Sequence, residues 1–233
     1  MIDTMKLKRA KELAITFLHL PMTETVFSPA VVMHPFFENG FLYDGQGIFN
    51  ALEDTDRYCD YLKTFASRAI EPCEDIEGIL GYVRKSYRLT FLSFMQKEKI
   101  ITKKECGNLL AGQWTLIEVM NHDTNVTKNQ ILSWIKEADK DLLMDSEELA
   151  LYNAFPEVAT IYRGCGKPTG KKGLSWTTNK QKAEWFADRF KEKKSGFVYR
   201  ANIRREDIVF YTDSRSEQEV VVDFNKLYNI EQV

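Results

Sequence analysis

Arg163, Ser175, Thr177, Glu217 and Glu219 fall in three short stretches in the last third of the 233-residue chain. The first stretch, Ile161-Tyr162-Arg163-Gly164, sets an arginine at the close of a β-rich run. A guanidinium stays charged and grips phosphate through parallel N–H donors, and the glycine beside it lets a ligand approach the backbone. Arg-Gly at a strand end also serves purely structural purposes. The second stretch is Gly173-Leu174-Ser175-Trp176-Thr177-Thr178. On a strand, Ser175 and Thr177 share one face and offer two hydroxyls at i and i+2. Thr178 or Asn179 is placed to cap the helix that follows, and capping alone would account for the stretch. The third, Arg215 to Asp223, sets Glu217 and Glu219 before three valines. Two carboxylates facing one way at the mouth of a buried strand meet desolvation and mutual repulsion, so they call for a compensating role. A solvated turn before an edge strand is the alternative.

Other patterns fail on spacing. Gly164 to Lys172 suggests a phosphate loop, but such a loop needs four residues between its glycines and then Lys-Ser or Lys-Thr. The intervals to Gly170 are five and three, and Lys172 follows Lys171, so the stretch is expected to be a mobile basic loop. There is no GxGxxG. His19, His34 and His122 lie far apart and outside any HExxH, and Cys59, Cys73, Cys106 and Cys165 form no CxxC pair, so no metal is expected. The cysteines are expected as reduced thiols. Lys191–Lys194 is read as a solvated helix end.

The elements that must position these residues change character along the chain. Residues 6–20 place Leu7, Ala10, Leu13 and Ala14 on one helix face. Residues 21–48 read as irregular. Helices are predicted from about 54 to 70, within 75–100 and 103–120, near 128–139 and 145–154, with Asn121-His122-Asp123 as a stop. Strands are then predicted at 159–163, 174–178, 197–203, 208–211 and 219–224, with a helix at 179–193. Helices first and strands later mean α+β, with the change near residue 155. A hydrophobic content of 44%, charged content of 28% and net charge of −2 are those of an ordinary soluble protein. Residues 151–233 carry 15 Lys and Arg against 11 Asp and Glu, a mild excess that suits an anionic ligand. The N-terminus carries no secretory pattern, and the apolar stretch Leu13–Leu20 is too short to span a bilayer, so a cytoplasmic location and no membrane partner are expected.

Taken together, the order Arg, Ser-x-Thr, Glu-x-Glu resembles the R-S-E class of ADP-ribosyltransferases, which includes arginine-modifying bacterial toxins and related phage enzymes. The resemblance covers about residues 111–233. There Gln113-Trp114, 121–126, Ile161–Gly164, Leu174–Thr177, Ala183–Arg189 and Ser216–Asp223 look like a bacterial and phage branch. It implies a catalytic domain, 111–233; residues 1–110, outside the resemblance, read as a mainly helical N-terminal region of undefined role. In that class the domain is a split two-sheet β core with flanking helices, and NAD, the co-substrate, sits in the cleft between the sheets. Carried over, Arg163 would hold the NAD phosphates or the adenine-side ribose, and Gly164 would present backbone to the nicotinamide amide. Ser175 would orient Glu219, Thr177 would support the same wall, and Phe186 or Trp185 would stack on nicotinamide. The family has Ser-Thr-Ser where this chain has Ser-Trp-Thr, so Trp176 is a departure.

Glu219 would then be the central catalytic group. Positive charge develops on the ribose as nicotinamide departs, and a fixed carboxylate stabilises it most in a water-poor cleft. Glu217 would hold an acceptor guanidinium and help remove its proton. The resemblance thus implies transfer of ADP-ribose to a macromolecule, with protein arginine the favoured acceptor, in a toxin or phage–host conflict setting where an antitoxin or inhibitor is a further partner. RNA or DNA as acceptor, plain NAD hydrolysis, and a catalytically silent NAD-binding module remain open alternatives.

Overall fold

The computed structural model describes residues 4–117, 125–189 and 196–233. The Asn121-His122-Asp123 stop and the Lys191–Lys194 run lie outside the described residues. The chain forms two compact units, Met1–Thr102 with Val119–Val126 and Lys103–Glu118 with Thr127–Val233. Among the described residues no helix is long and apolar enough to cross a membrane.

The first unit is mainly helical. Helix α1, Thr4–Leu18, buries Ala10, Ala14, Phe17 and Leu18, an i, i+4, i+7, i+8 stripe, while Leu7 and Leu13 are only half-buried. The span expected to be irregular holds two small antiparallel sheets. One pairs β1 (Thr23–Glu24) with β2 (Val32–Met33), and the other pairs β3 (Phe41–Tyr43) with β4 (Ile48–Asn50). Strands of two or three residues are too short for alternation to register. Helix α2, Thr55–Phe65, starts on an Asp54 cap and runs into a π-helical turn, Ala66–Ile70.

The helical span 75–100 is divided into α3 (Ile76–Tyr82) and α4 (Arg88–Lys97). The interruption has a tertiary cause. Arg84 donates its backbone N–H to Pro35 O at 2.8 Å and its Nη1 to Phe37 O at 3.0 Å, so the chain leaves the helical path to reach a distant segment.

The second unit places helices and a sheet together. Helices α5 (Lys103–Gln113), α6 (Lys128–Ile135), α7 (Lys140–Leu143) and α8 (Ser146–Ala154) come first. They are followed by β5 (Val158–Cys165), β6 (Ser175–Thr177), α9 (Lys180–Arg189), β7 (Phe197–Arg204), β8 (Ile208–Thr212), β9 (Glu219–Val222) and β10 (Tyr228–Gln232). The α+β expectation holds: nine α-helices occur among the described residues, and the six later strands form one antiparallel sheet in the order β10-β7-β5-β6-β9-β8. β10 is an edge strand that pattern reading misses. It is exposed along most of its length and so carries no alternation of apolar and polar residues.

The sheet is unequally sewn. β5 and β7 pair over eight residues, whereas β5 and β6 share the single register pair Tyr162↔Thr177. Two three-stranded halves, β10-β7-β5 and β6-β9-β8, therefore meet at one pair. That pair belongs to a row crossing the whole sheet: Glu231, Arg200, Tyr162, Thr177, Glu219 and Thr212. Directly paired residues share a face, so the row is a polar stripe on one side of the sheet. On the other side Ile161, Trp176, Tyr199, Ala201, Val220 and Val222 belong to the core cluster. Helix α9 covers the stripe side of β5, because a Cβ on Gly164 would stand 1.8 Å from Ala183 O and 2.5 Å from Ala187 N. Only glycine lets the helix backbone come that close.

Candidate active site

Glu219 opens β9 in the polar stripe and is 5% exposed. A buried carboxylate must be hydrogen-bonded or paired. Trp114 Nε1 donates to its Oε1 at 3.1 Å, and Arg215 Nη2 stands 3.6 Å from its Oε2. Trp114 is itself buried and packs edge-on against Phe210 with ring centroids 5.1 Å apart, so the donor is held by the core. The same Arg215 Nη2 lies 3.0 Å from Glu217 Oε2. One guanidinium thus spans both carboxylates and relieves the repulsion that their spacing predicts.

The turn that carries Glu217 is tightly specified. Ser216 and Gln218 on either side adopt left-handed backbone, with φ of 54° and 47°, a region that costs about 1 kcal/mol or more for non-glycine residues. Local bonds hold it there. Thr177 Oγ1 donates to Glu217 O at 2.8 Å and accepts from Asn179 N at 3.0 Å. Gln218 N donates to Asp213 Oδ1 at 2.8 Å. Upstream, Glu148 works at both ends of its carboxylate. Its Oε2 accepts from Asp145 N to complete the capping box of α8, and its Oε1 accepts from Thr212 Oγ1 at 2.6 Å and Asp213 N at 2.9 Å. Burial raises the Glu217 carboxyl above its ordinary pKa; Arg215 opposes the rise, Glu219 adds to it, and Lys182 on α9 opposes it.

Arg163 closes on the neighbouring loop. Its Nε donates to Gly170 O at 2.8 Å and its Nη1 to Ser175 O, and its guanidinium lies where a Cβ on Gly173 would be. The loop expected to be mobile is folded as a 3-10 helix, Pro168–Lys172, because the guanidinium and the thiol of Cys165, which donates to Lys167 O, hold its backbone. Desolvation lowers the Arg163 pKa, while the charges of Cys165 and Glu219 counter this. Lys128, the first residue of α6, donates Nζ to Lys172 O at 2.7 Å. Its pKa is lowered by burial and by the charges of Arg163 and Lys172.

The expected residues are brought together unequally. Thr177 pairs directly with Glu219 across β6 and β9, whereas Arg163, in register with Tyr199 and two residues from Ile161 and Cys165, starts from the opposite, core-cluster side of the sheet and bonds Gly170 O and Ser175 O, not the Glu219 carboxylate. Ser175 pairs with Val221, so it is the diagonal neighbour of Glu219, about 7–8 Å away. Its backbone oxygen receives Arg163, while Trp114 and Arg215 supply the contacts to the Glu219 carboxylate described above. Gly164 faces α9, and its close approach serves helix packing. Phe186 is half-buried on α9, four residues after Lys182, and packs edge-on with Trp185 at 5.0 Å. Asn179, not Thr178, caps α9, accepting from Lys182 N at 3.2 Å.

Three residues of the site carry no role in the sequence reading: Trp114, Lys128 and Arg215. Trp114 lies 105 residues from Glu219, beyond any spacing rule. Arg215 was within reach, because a cation two and four residues before the two glutamates is the simplest answer to their repulsion. Comparison of the chain with protein-family models, with curated proteins and with solved structures finds no match.

Proposed function

We propose that this chain is a mono-ADP-ribosyltransferase that cleaves NAD and passes ADP-ribose to a protein arginine. The observation that carries the reading is the stripe at the joint of the two half-sheets. It places a buried carboxylate, Glu219, against an indole N–H and a guanidinium, with a second carboxylate beside it. A split core of the ADP-ribosyltransferase kind is supported by the single-pair junction between β5 and β6. NAD as co-substrate is supported by the cations. Lys128 Nζ reaches Lys172 O, and the charges of Arg163 and Lys172 help to lower its pKa, so an anionic group such as a pyrophosphate reaching these cations would be stabilised.

In this reading Glu219, held in place by Trp114, steadies the ribose as the bond to nicotinamide breaks. Glu217 receives the acceptor guanidinium and its proton. An arginine acceptor is favoured over RNA or DNA by one contact: the two carboxylates already bind the guanidinium of Arg215.

The test is incubation of the purified chain with NAD labelled in the adenylate portion and a mixture of protein and RNA acceptors. Wild type is expected to release nicotinamide and label protein in a nuclease-resistant, protease-sensitive form. Glu219→Gln, which keeps the shape and removes the charge, is expected to lose both activities by about a hundredfold to a thousandfold. Unchanged NAD turnover in that variant would falsify the assignment.

A further inference from the structure

The proposed acceptor position is already filled by a side chain of this protein. Arg215 Nη2 stands 3.0 Å from Glu217 Oε2 and 3.6 Å from Glu219 Oε2. It thereby touches both the carboxylate assigned to acceptor binding and the one assigned to the ribose. Its other terminal nitrogen donates to Thr115 O at 3.3 Å, which fixes the plane of the guanidinium. The arginine also lies within the turn whose left-handed positions, Ser216 and Gln218, are pinned by Asp213, so its placement is set by backbone as well as by charge. Its side chain keeps 37% of its exposure, so one edge is open to a substrate entering the site.

We infer that Arg215 is an acceptor in cis, so that the enzyme attaches ADP-ribose to its own Arg215 before or in competition with external arginines. This rests on the transferase reading above. The step balances without a further reactant. The glycosidic bond from ribose C1″ to the nicotinamide nitrogen breaks, and its electron pair leaves with neutral nicotinamide. A bond from C1″ to Arg215 Nη2 forms, and the displaced proton passes to Glu217 and then to water. The modified side chain remains next to Glu219, so self-modification also obstructs the site. NAD consumption should then show a fast phase of about one equivalent per chain followed by a slower rate.

The experiment uses the full chain and NAD, with arginine methyl ester as an external acceptor in a parallel arm. Peptide mapping by tandem mass spectrometry is expected to find ADP-ribose on Arg215. Its first-order rate should not change over a tenfold range of protein concentration. Arg215→Lys keeps a cation beside both carboxylates and is expected to lose the self-label at least tenfold. If nicotinamide is released and arginine methyl ester is modified while Arg215 stays bare, the cis acceptor is wrong and the transferase reading stands. A labelling rate that scales with protein concentration, or a self-label retained by Arg215→Lys, also overturns it. If neither nicotinamide release nor modification of either acceptor occurs, the transferase reading itself fails and this inference with it.

Discussion

At the scale of single residues, the proposed chemistry depends on how the Glu219 carboxylate is paired and aimed while only 5% exposed. Trp114 supplies a neutral donor from a rigid ring, and Arg215 a partly exposed cation. Trp114→Phe keeps the packing against Phe210 and removes the N–H. An unsatisfied buried acceptor costs about 1–3 kcal/mol. Expressed in the transition state, that is a fall of roughly tenfold to a hundredfold in NAD cleavage. Measured nicotinamide release unchanged from wild type would show that the indole only fills space. Glu217 yields a pH prediction. Its pKa is raised from the ordinary 4.5, chiefly by burial and against the pull of Arg215. The proposed transfer to arginine needs the ionised form, so its acid limb should lie above 4.5. In Arg215→Gln the limb should move higher still, because the opposing cation is gone. A limb at or below 4.5 in the wild type would remove Glu217 from the proton-accepting role.

At the scale of elements, the site is assembled by short, specific ties. Glu148 completes a helix cap with one oxygen and holds the start of the β8–β9 turn with the other, so the end of α8 and the glutamate turn are positioned together. Gly164 sets the distance between α9 and β5. Gly164→Ala would drive a methyl group into the α9 backbone and should destabilise the second unit by about 1–3 kcal/mol or more. Gly112→Ala in α5, where an added Cβ meets nothing within 4 Å, should instead raise stability by about 0.5–1 kcal/mol. Urea denaturation of the two variants checks both signs. Most of these elements were legible from periodicity: α2, α5, α6, α8 and α9 lie within predicted helical spans, α1 starts two residues before its span, and β5 to β9 lie at or within a few residues of predicted strands. The break between α3 and α4 was not, because the bonds of Arg84 to Pro35 and Phe37 cross about fifty residues. The hairpin strands β1 to β4 and the exposed edge β10 offer no period to read.

At the scale of the whole molecule, the two compact units carry different burdens, and the first has its own titration. His34 is fully buried, stacked on Phe37 at 4.8 Å, with Nδ1 accepting from Phe36 N and Nε2 donating to Leu20 O. Burial lowers its pKa from 6.5 to about 4. The neutral ring is favoured in the native state, so its contribution is complete above pH 6.5 and is lost as pH falls towards 4. At about 1.4 kcal/mol per pH unit, the loss is roughly 3 kcal/mol. The thermal midpoint of the first unit should drop across that window, and His34→Gln should flatten the dependence. A wild-type midpoint that is level from pH 7 to 4 would contradict it.

Amino-acid order alone determined most of the longer elements and their succession, since helical and strand periods are local properties of neighbouring side chains. It also determined the residue types available for chemistry, with Arg163, Ser175, Thr177, Glu217 and Glu219 in three separate stretches. Tertiary structure decided which of them touch. The register Thr177↔Glu219, the donor from Trp114 and the reach of Lys128 to Lys172 join positions 42 to 105 residues apart. Such pairings are set by long-range packing and by the need to satisfy buried polar groups, and neither leaves a period in the chain.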